Sequence, residues 1–401
     1  MLTITTGLDA STPNTFDIVF RATQRLSEWW DRGPARLNKR NLVGSIVALV
    51  MGLVSSSSPG PSYHIVYDDF HRPFSVNTTD AKWFYFTYGS YVASDGHVST
   101  GHHGLEVVAP GKNPTTDSPT FTLTAGPQDP NIPGDVDHPK WLAFMTHLST
   151  AGYPGYDTVP GHVTSCEAQL GGTVHGTSAH PFGSMTSPTD PALAFTALVT
   201  ADFETSMIFD FALTNDTIYA LYERLPFGRT ADNHYASFTH LIPVASRSST
   251  DIHHLKISYD RSGKSVSWHV EGRKVFEVTR PGHFLPNHDF VVIDRGGTEQ
   301  DAGVLRQLVC GIGMFTLVDA YNRDAKKSLV RLVGSPNAYY RSPENASEPP
   351  NFFDETSQRS SRLFGQGATL RVRNVVISNQ PTTLAGTMTT RSSDEGGGSD
   401  D

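Results

Sequence analysis

Apolar and polar residues alternate with period two along much of this chain. Between His253 and Tyr259, Leu255, Ile257 and Tyr259 point one way, and His254, Lys256 and Ser258 the other. Asp260-Arg261-Ser262-Gly263 makes a turn, and Val266, Trp268 and Val270 then alternate with Ser265, Ser267, His269 and Glu271. Glu271-Gly272-Arg273 turns again, and a third strand begins at Val275. Such spacing, bounded by Asp and Gly, predicts antiparallel strands with one buried face. Similar runs recur from Tyr63, across 80–108 with breaks at Asp95-Gly96 and Gly101, and at 162–176, 307–320 and 368–378. Residues 203–228 predict a hairpin about Thr214-Asn215-Asp216. The run WLAFMTHL, 141–148, is too short for its pattern to separate strand from helix.

Many strands and little helix predict an all-β chain folded as an antiparallel β-sandwich with long loops. The organisation expected is a leader over 1–62, a sandwich over 63–380 and a disordered tail over 381–401. Residues 335–366, rich in Ser, Pro and Asn, read as a loop insertion. Gly171-Gly172 and Gly296-Gly297 read as turn glycines.

Composition narrows the function classes. The 401 residues are 37% hydrophobic with 35 Gly and 26 Pro, a turn-rich globular composition. A net charge of -9 argues against nucleic acid as a partner. Cys166 and Cys310 are the two cysteines; they exclude a disulfide framework and leave a single bridge open. The chain carries no paired Cys-x-x-Cys, HExxH, G-x-S-x-G, P-loop or Rossmann pattern, so neither a metal nor a cofactor is expected.

The leader complicates location. Leu42 to Val54 is apolar, follows Arg36, Lys39 and Arg40, and is short for a membrane helix. It resembles the middle of a signal peptide, yet a long segment precedes it. An uncleaved anchor, a displaced signal and a non-native leader stay open, and any membrane association would run through this segment. A cytoplasmic location is slightly favoured. The sequons at Asn77, Asn215 and Asn345 matter only if the chain is secreted.

The order of these pieces, with HHLKISYDRSGKSVSWHVEGRKVFEV at 253–278 and LRVRNVVIS near the end, resembles the concanavalin A-like jelly roll of laminarinase-type glucanases and laminin-G-like lectin domains. The segments DAKWFYF, AHPFG, FETSMIFDF, YERLPFG and GMFTLVDA are similar to a bacterial and fungal family of unknown function associated with natural-product gene neighbourhoods. The glucanases carry Glu-x-Asp-x-(x)-Glu on their active strand. The matching strand here reads SCEAQLGG, where Glu167 is the one acid and Gln169 stands in the place of its partner. A retaining glycosidase needs two carboxyl groups, and glutamine cannot be the nucleophile.

Candidate site residues follow from strand faces. Glu167 and Gln169 share a face and would orient a ligand carbonyl or hydroxyl. Glu204, Asp210, Glu223 and Arg224 read first as an ion-pair ladder on an exposed sheet. In a cleft, burial would instead raise a carboxyl pKa and make a general acid, with Glu223 the leading choice. Tyr219 shares the face of Glu223. His180, beside Pro181 and Phe182, is either a turn residue or a pocket acid or base. Trp83, Tyr85 and Trp141 either fill the core or form a stacking floor for a ring.

The family resemblance and the missing acid pair together imply a cofactor-free enzyme of secondary-metabolite biosynthesis. It would be a cyclase or isomerase, of the intramolecular Diels–Alder type, that holds an apolar small molecule in a reactive conformer and polarises it with hydrogen-bond donors. The alternatives are a glycan-active hydrolase or lyase, using Glu167 with Glu204 or Glu223, and a lectin-like carbohydrate-binding module.

Overall fold

The computed structural model describes residues 62–126, 134–335, 338–340 and 348–382. The leader, the tail beyond Thr382 and the sequon at Asn345 lie outside the described residues.

Two antiparallel sheets form the sandwich. The first, here the terminal sheet, runs in the order Arg273–Val278, Ser265–Val270, His253–Asp260, His162–His175, Gly367–Pro381, Gly104–Val108 and His97–Gly101. Tyr63–Asp68 pairs beside Gly104–Val108 along the same long strand Gly367–Pro381, so both ends of the domain meet in this sheet. The second, the central sheet, runs Val291–Asp294, Phe238–Ser246, Thr217–Arg224, Met207–Leu213, Phe195–Asp202, Gln307–Phe315, Pro139–Met145 and Trp83–Tyr85. Tyr156–Asp157 adds a short strand against Gln307–Phe315. The antiparallel sandwich expected from the alternation, and the jelly roll that the resemblance implies, are therefore the observed fold.

The expected hairpins are in place: Met207–Leu213 with Thr217–Arg224, and the three strands between His253 and Val278. The ambiguous run at 141–148 falls on the strand Pro139–Met145. One expectation fails locally. Gly171 and Gly172 lie inside the strand His162–His175, not in a turn. A Cβ on Gly172 would lie 2.2 Å from Thr196 Oγ1, and one on Gly171 2.2 Å from the Asp251 carbonyl oxygen. Their role is to let a second chain segment approach closely. Gly296-Gly297 is a turn, with φ of +66° and +100°.

Cys166 and Cys310 form a disulfide with Cα atoms 5.8 Å apart, joining the two sheets through the core. Leu255, Ile257 and Trp268 of the terminal sheet and Phe209, Phe211 and Ile312 of the central sheet fill the layer around it, fully buried. The segment 335–366, expected as a loop insertion, carries regular structure among its described residues. It adds the strand Phe352–Asp354, which pairs parallel to Lys327–Val330, and a helical turn at Arg359–Arg362. Arg362 is buried and ion-paired to Asp137 at 3.5 Å.

Candidate active site

Pairing register assigns each residue of the central sheet to a face, because directly opposed residues point the same way. Thr200, Phe209, Tyr222 and His240 are opposed across four strands. Thr200 is also opposed to Cys310, so this is the inner face, turned towards the disulfide and the core. Ala201, Ile208, Glu223 and Thr239 form the next row and point outwards, as do Val199, Asp210, Leu221 and Leu241.

This outer face is almost fully covered, slightly less so than the inner one. Inner-face Phe209, Phe211 and Ile312 are 0% exposed, whereas outer-face Val199, Leu221, Phe144, Leu142, Ile208, Leu241 and Phe315 keep 2–8%. The floor is apolar, with two carboxyl groups in it. Asp210 is opposed to Leu221 and Ile208 to Glu223, so the two acids are diagonal neighbours on adjacent strands. Such positions lie about 7–8 Å apart, within reach of one substrate group.

Both carboxyls are held towards the neutral form. Burial, reinforced by the negative charge of Glu223, raises Asp210 well above the carboxylate range; the Thr200 N–H, at 3.3 Å, opposes this weakly. Burial and the charge of Asp135 push Glu223 up to about 7, against a 2.6 Å hydrogen bond donated by Thr239 and the positive His138 and Arg295. The environments differ in kind. Among the described residues no cation shifts Asp210, while Glu223 has two in range and a donor on Oε1.

Those cations belong to a buried ion cluster formed by loops that cross the outer face. Arg295 is paired to Asp135 and lies 3.6 Å from Asp319. His138 Nε2 is 2.8 Å from Asp319 Oδ1, its Nδ1 is 4.0 Å from Asp135, and Tyr339 donates to Asp319 Oδ2 at 2.8 Å. Burial pulls the His138 imidazole down, but Asp319 and Asp135 outweigh it and raise it overall. Burial likewise raises Asp319, but His138 and Arg295 reverse this and hold it down at about 2. Two acids thus face two bases, and the loops stay tied over the sheet.

The candidate residues divide sharply. Glu223 and the half-buried Tyr219 line the outer face of the central sheet. Glu167 and Gln169 lie on the outer face of the terminal sheet, on the other side of the sandwich. Glu167 accepts from Ser378 at 3.1 Å and is paired with Lys256 at 3.2 Å and His254 at 3.1 Å. It is held low despite burial, chiefly by Lys256, as suits a structural ion pair. Trp83 and Trp141 are fully buried in the inner layer and form core, not a stacking floor, and half-buried Tyr85 packs edge-on against Trp141 from the same face. His180 stacks on Phe182 in a loop turn, and its Nδ1 accepts the Phe182 N–H at 3.3 Å.

The ladder does not form. Glu204 lies past the strand end, in an ion pair with Arg306. Arg224 points to the inner side, over the Tyr235 ring at 3.9 Å, and donates to the Gln300 carbonyl. Sequence reasoning placed Asp210 in that ladder, and it did not single out Asp135, His138, Arg295, Asp319 or Tyr339. The signal for the first two was GDVDH, two acids and a histidine directly before a strand.

Residues 67–381 match the family of unknown function DUF6081. The chain belongs to this family. A relative of this DUF6081 chain is "Uncharacterized protein L829" of Acanthamoeba polyphaga mimivirus, 24% identical over 76% of this chain and 85% of the relative. Among solved structures, an endo-1,3-beta-glucanase from Streptomyces sioyaensis aligns with a TM-score of 0.42 at 12% identity, covering 81% of this chain and 99% of that one. The apo Crh5 transglycosylase aligns at 0.33 and 14%, covering 81% and 90%. Alginate lyase A1-II' aligns at 0.33 and 10%, covering 71% and 84%. Alignments this loose carry no argument about activity, and the site of the DUF6081 chain rests on its own geometry.

Proposed function

We propose that this protein is a glycan-active hydrolase or lyase whose working pair is Asp210 and Glu223. The observation that carries the reading is two carboxyls that are diagonal neighbours on the outer face of the central sheet, both raised by burial but with different partners. Burial favours the protonated form of Asp210, while Glu223, pushed up to about 7, is partly ionised near neutral pH. That is the division of labour an acid and a base require. In hydrolysis Asp210 gives its proton to the departing glycosidic oxygen. Glu223 either attacks the anomeric carbon or takes a proton from the attacking water, according to the distance between the two carboxyls. In a lyase, Glu223 takes the proton from the carbon next to a uronate carboxyl, and Asp210 protonates the leaving oxygen.

A cofactor-free cyclase acting on an apolar small molecule is the second reading, favoured by the apolar floor of Val199, Leu221, Leu142 and Phe144. It calls for an enclosed pocket. Two cavities found among the described residues measure about 20 and 10 Å³, room for roughly one water molecule each.

The test is to incubate the protein with a panel of neutral and uronate polysaccharides. New reducing ends mark cleavage, and ultraviolet absorbance of unsaturated ends marks elimination. Asp210→Asn and Glu223→Gln are each expected to lower the rate by roughly 10²–10⁴-fold. Wild-type rates in both variants would remove the pair from the chemistry. Ring closure of an apolar substrate by both variants would favour the second reading.

A further inference from the structure

The three sequons present unequal asparagines. Asn77 lies in a tight turn at φ +53°, exposed, with Thr78 and Thr79 exposed beside it. Its Oδ1 accepts the Tyr85 N–H at 3.3 Å, and its Nδ2 makes no hydrogen bond among the described residues. An N-glycan is attached through Nδ2, so a sugar added there leaves the Oδ1 contact intact and points into solvent.

Asn215 is the opposite case. Its Nδ2 donates to the Val174 carbonyl at 2.9 Å, and its Oδ1 accepts the Val174 N–H at 2.8 Å. The amide thereby fastens the central hairpin turn to the end of the strand His162–His175, as a β-ladder pair would. A sugar on Nδ2 breaks one of these bonds and wedges a bulky group between the two sheets' edges. Oligosaccharide transfer acts on unfolded chain, so the fold decides which glycan is tolerated.

A separate observation points to the compartment. Cys166 and Cys310 are fully buried and joined across the sandwich. Bridges of this kind form and persist in oxidising lumina and are rare in reducing cytosol.

We propose that Asn77 is an N-glycosylation site of this protein and Asn215 is not, and that the chain matures in an oxidising secretory compartment. This runs against the cytoplasmic location that the sequence slightly favours, and it is independent of the proposed activity. The donor is a lipid-linked oligosaccharyl diphosphate. The Asn77 Nδ2 forms a bond to the anomeric carbon as the bond from that carbon to the diphosphate oxygen breaks. The electron pair leaves with the lipid diphosphate, and the amide proton is lost to solvent.

The test is production of the full chain through a eukaryotic secretory pathway, followed by release with a peptide-N-glycosidase (an amidase) in 18O-water, which converts each glycosylated Asn to 18O-labelled Asp, and peptide mapping, which reads each asparagine separately. The expected result is label at Asn77, none at Asn215, and an intact Cys166–Cys310 bridge. Thr79→Ala, which destroys the sequon but keeps the Asn77 side chain and its bond to Tyr85, should abolish the label with secretion retained. Unmodified Asn77 in secreted protein, label at Asn215, or free thiols at Cys166 and Cys310 would each overturn the proposal.

Discussion

Asp210 and Glu223 are diagonal neighbours across one strand boundary of the central sheet, and both point to the outer face. Each is buried enough to prefer its proton. Raised carboxyl pKa values make the folded state the better proton binder, so this contribution to stability is complete below the unfolded pKa. For Glu223 it is lost as pH rises from 4.5 towards about 7. Glu223→Gln removes the cost of ionisation. Relative to wild type, the variant should therefore melt higher at pH 8 and equally near pH 4, with a gain of about 2–3 kcal/mol at the alkaline end. Asp210→Asn should act in the same direction. Thermal unfolding at several pH values reads both, and a variant less stable than wild type at pH 8 would contradict the burial argument.

His240 predicts a loss of stability on the acid side. It is fully buried among Tyr222, Phe238 and Phe284. Burial, and then the charge of His288, pushes its imidazole down to about 3. Its Nε2 accepts the Leu285 N–H at 3.4 Å, a bond that needs the neutral ring. A depressed pKa contributes stability above the unfolded value, and that stability is lost as pH falls from 6.5 towards 3. His240→Phe should flatten the decline in melting temperature over that window. An unchanged slope would mean another group drives it.

The ion cluster predicts a large loss from a small change. Asp319→Asn leaves His138 and Arg295 buried with Asp135 as their one remaining ion-pair partner and Glu223 only as a more distant charge. Removing one partner of such a set costs about 3–5 kcal/mol, measurable by urea unfolding. Since the cluster ties the loops to the sheet, amide exchange at 134–138 and 316–319 should accelerate in the variant. A loss below about 1 kcal/mol would show that the ties are dispensable.

The disulfide closes a loop of 144 residues between the two sheets. Replacing both Cys166 and Cys310 by Ala should destabilise by about 2–5 kcal/mol, with the loss read as a lower denaturant midpoint. Equal midpoints for the oxidised and cysteine-free proteins would leave the sheets held by packing alone.

The sequence by itself determined the architecture. Alternation is a local property: Leu255, Ile257 and Tyr259 must share a face whatever surrounds them, and the same logic set apart Glu223 from Tyr222 and Arg224. What alternation cannot supply is which sheet a face belongs to and what lies over it. Glu167 and Glu223 are equally alternate with apolar neighbours, yet one is an ion pair on the terminal sheet and the other is a buried carboxyl on the outer face of the central sheet. Trp83 and Trp141 looked like candidates for a stacking floor and became core for the same reason. The ion cluster was the least legible part, because the segment that holds Asp135 and His138 meets Arg295, Asp319 and Tyr339, each from a different segment, only when the sandwich closes. Burial sets the proton affinities of this site, and burial is decided by long-range packing, which no local pattern records.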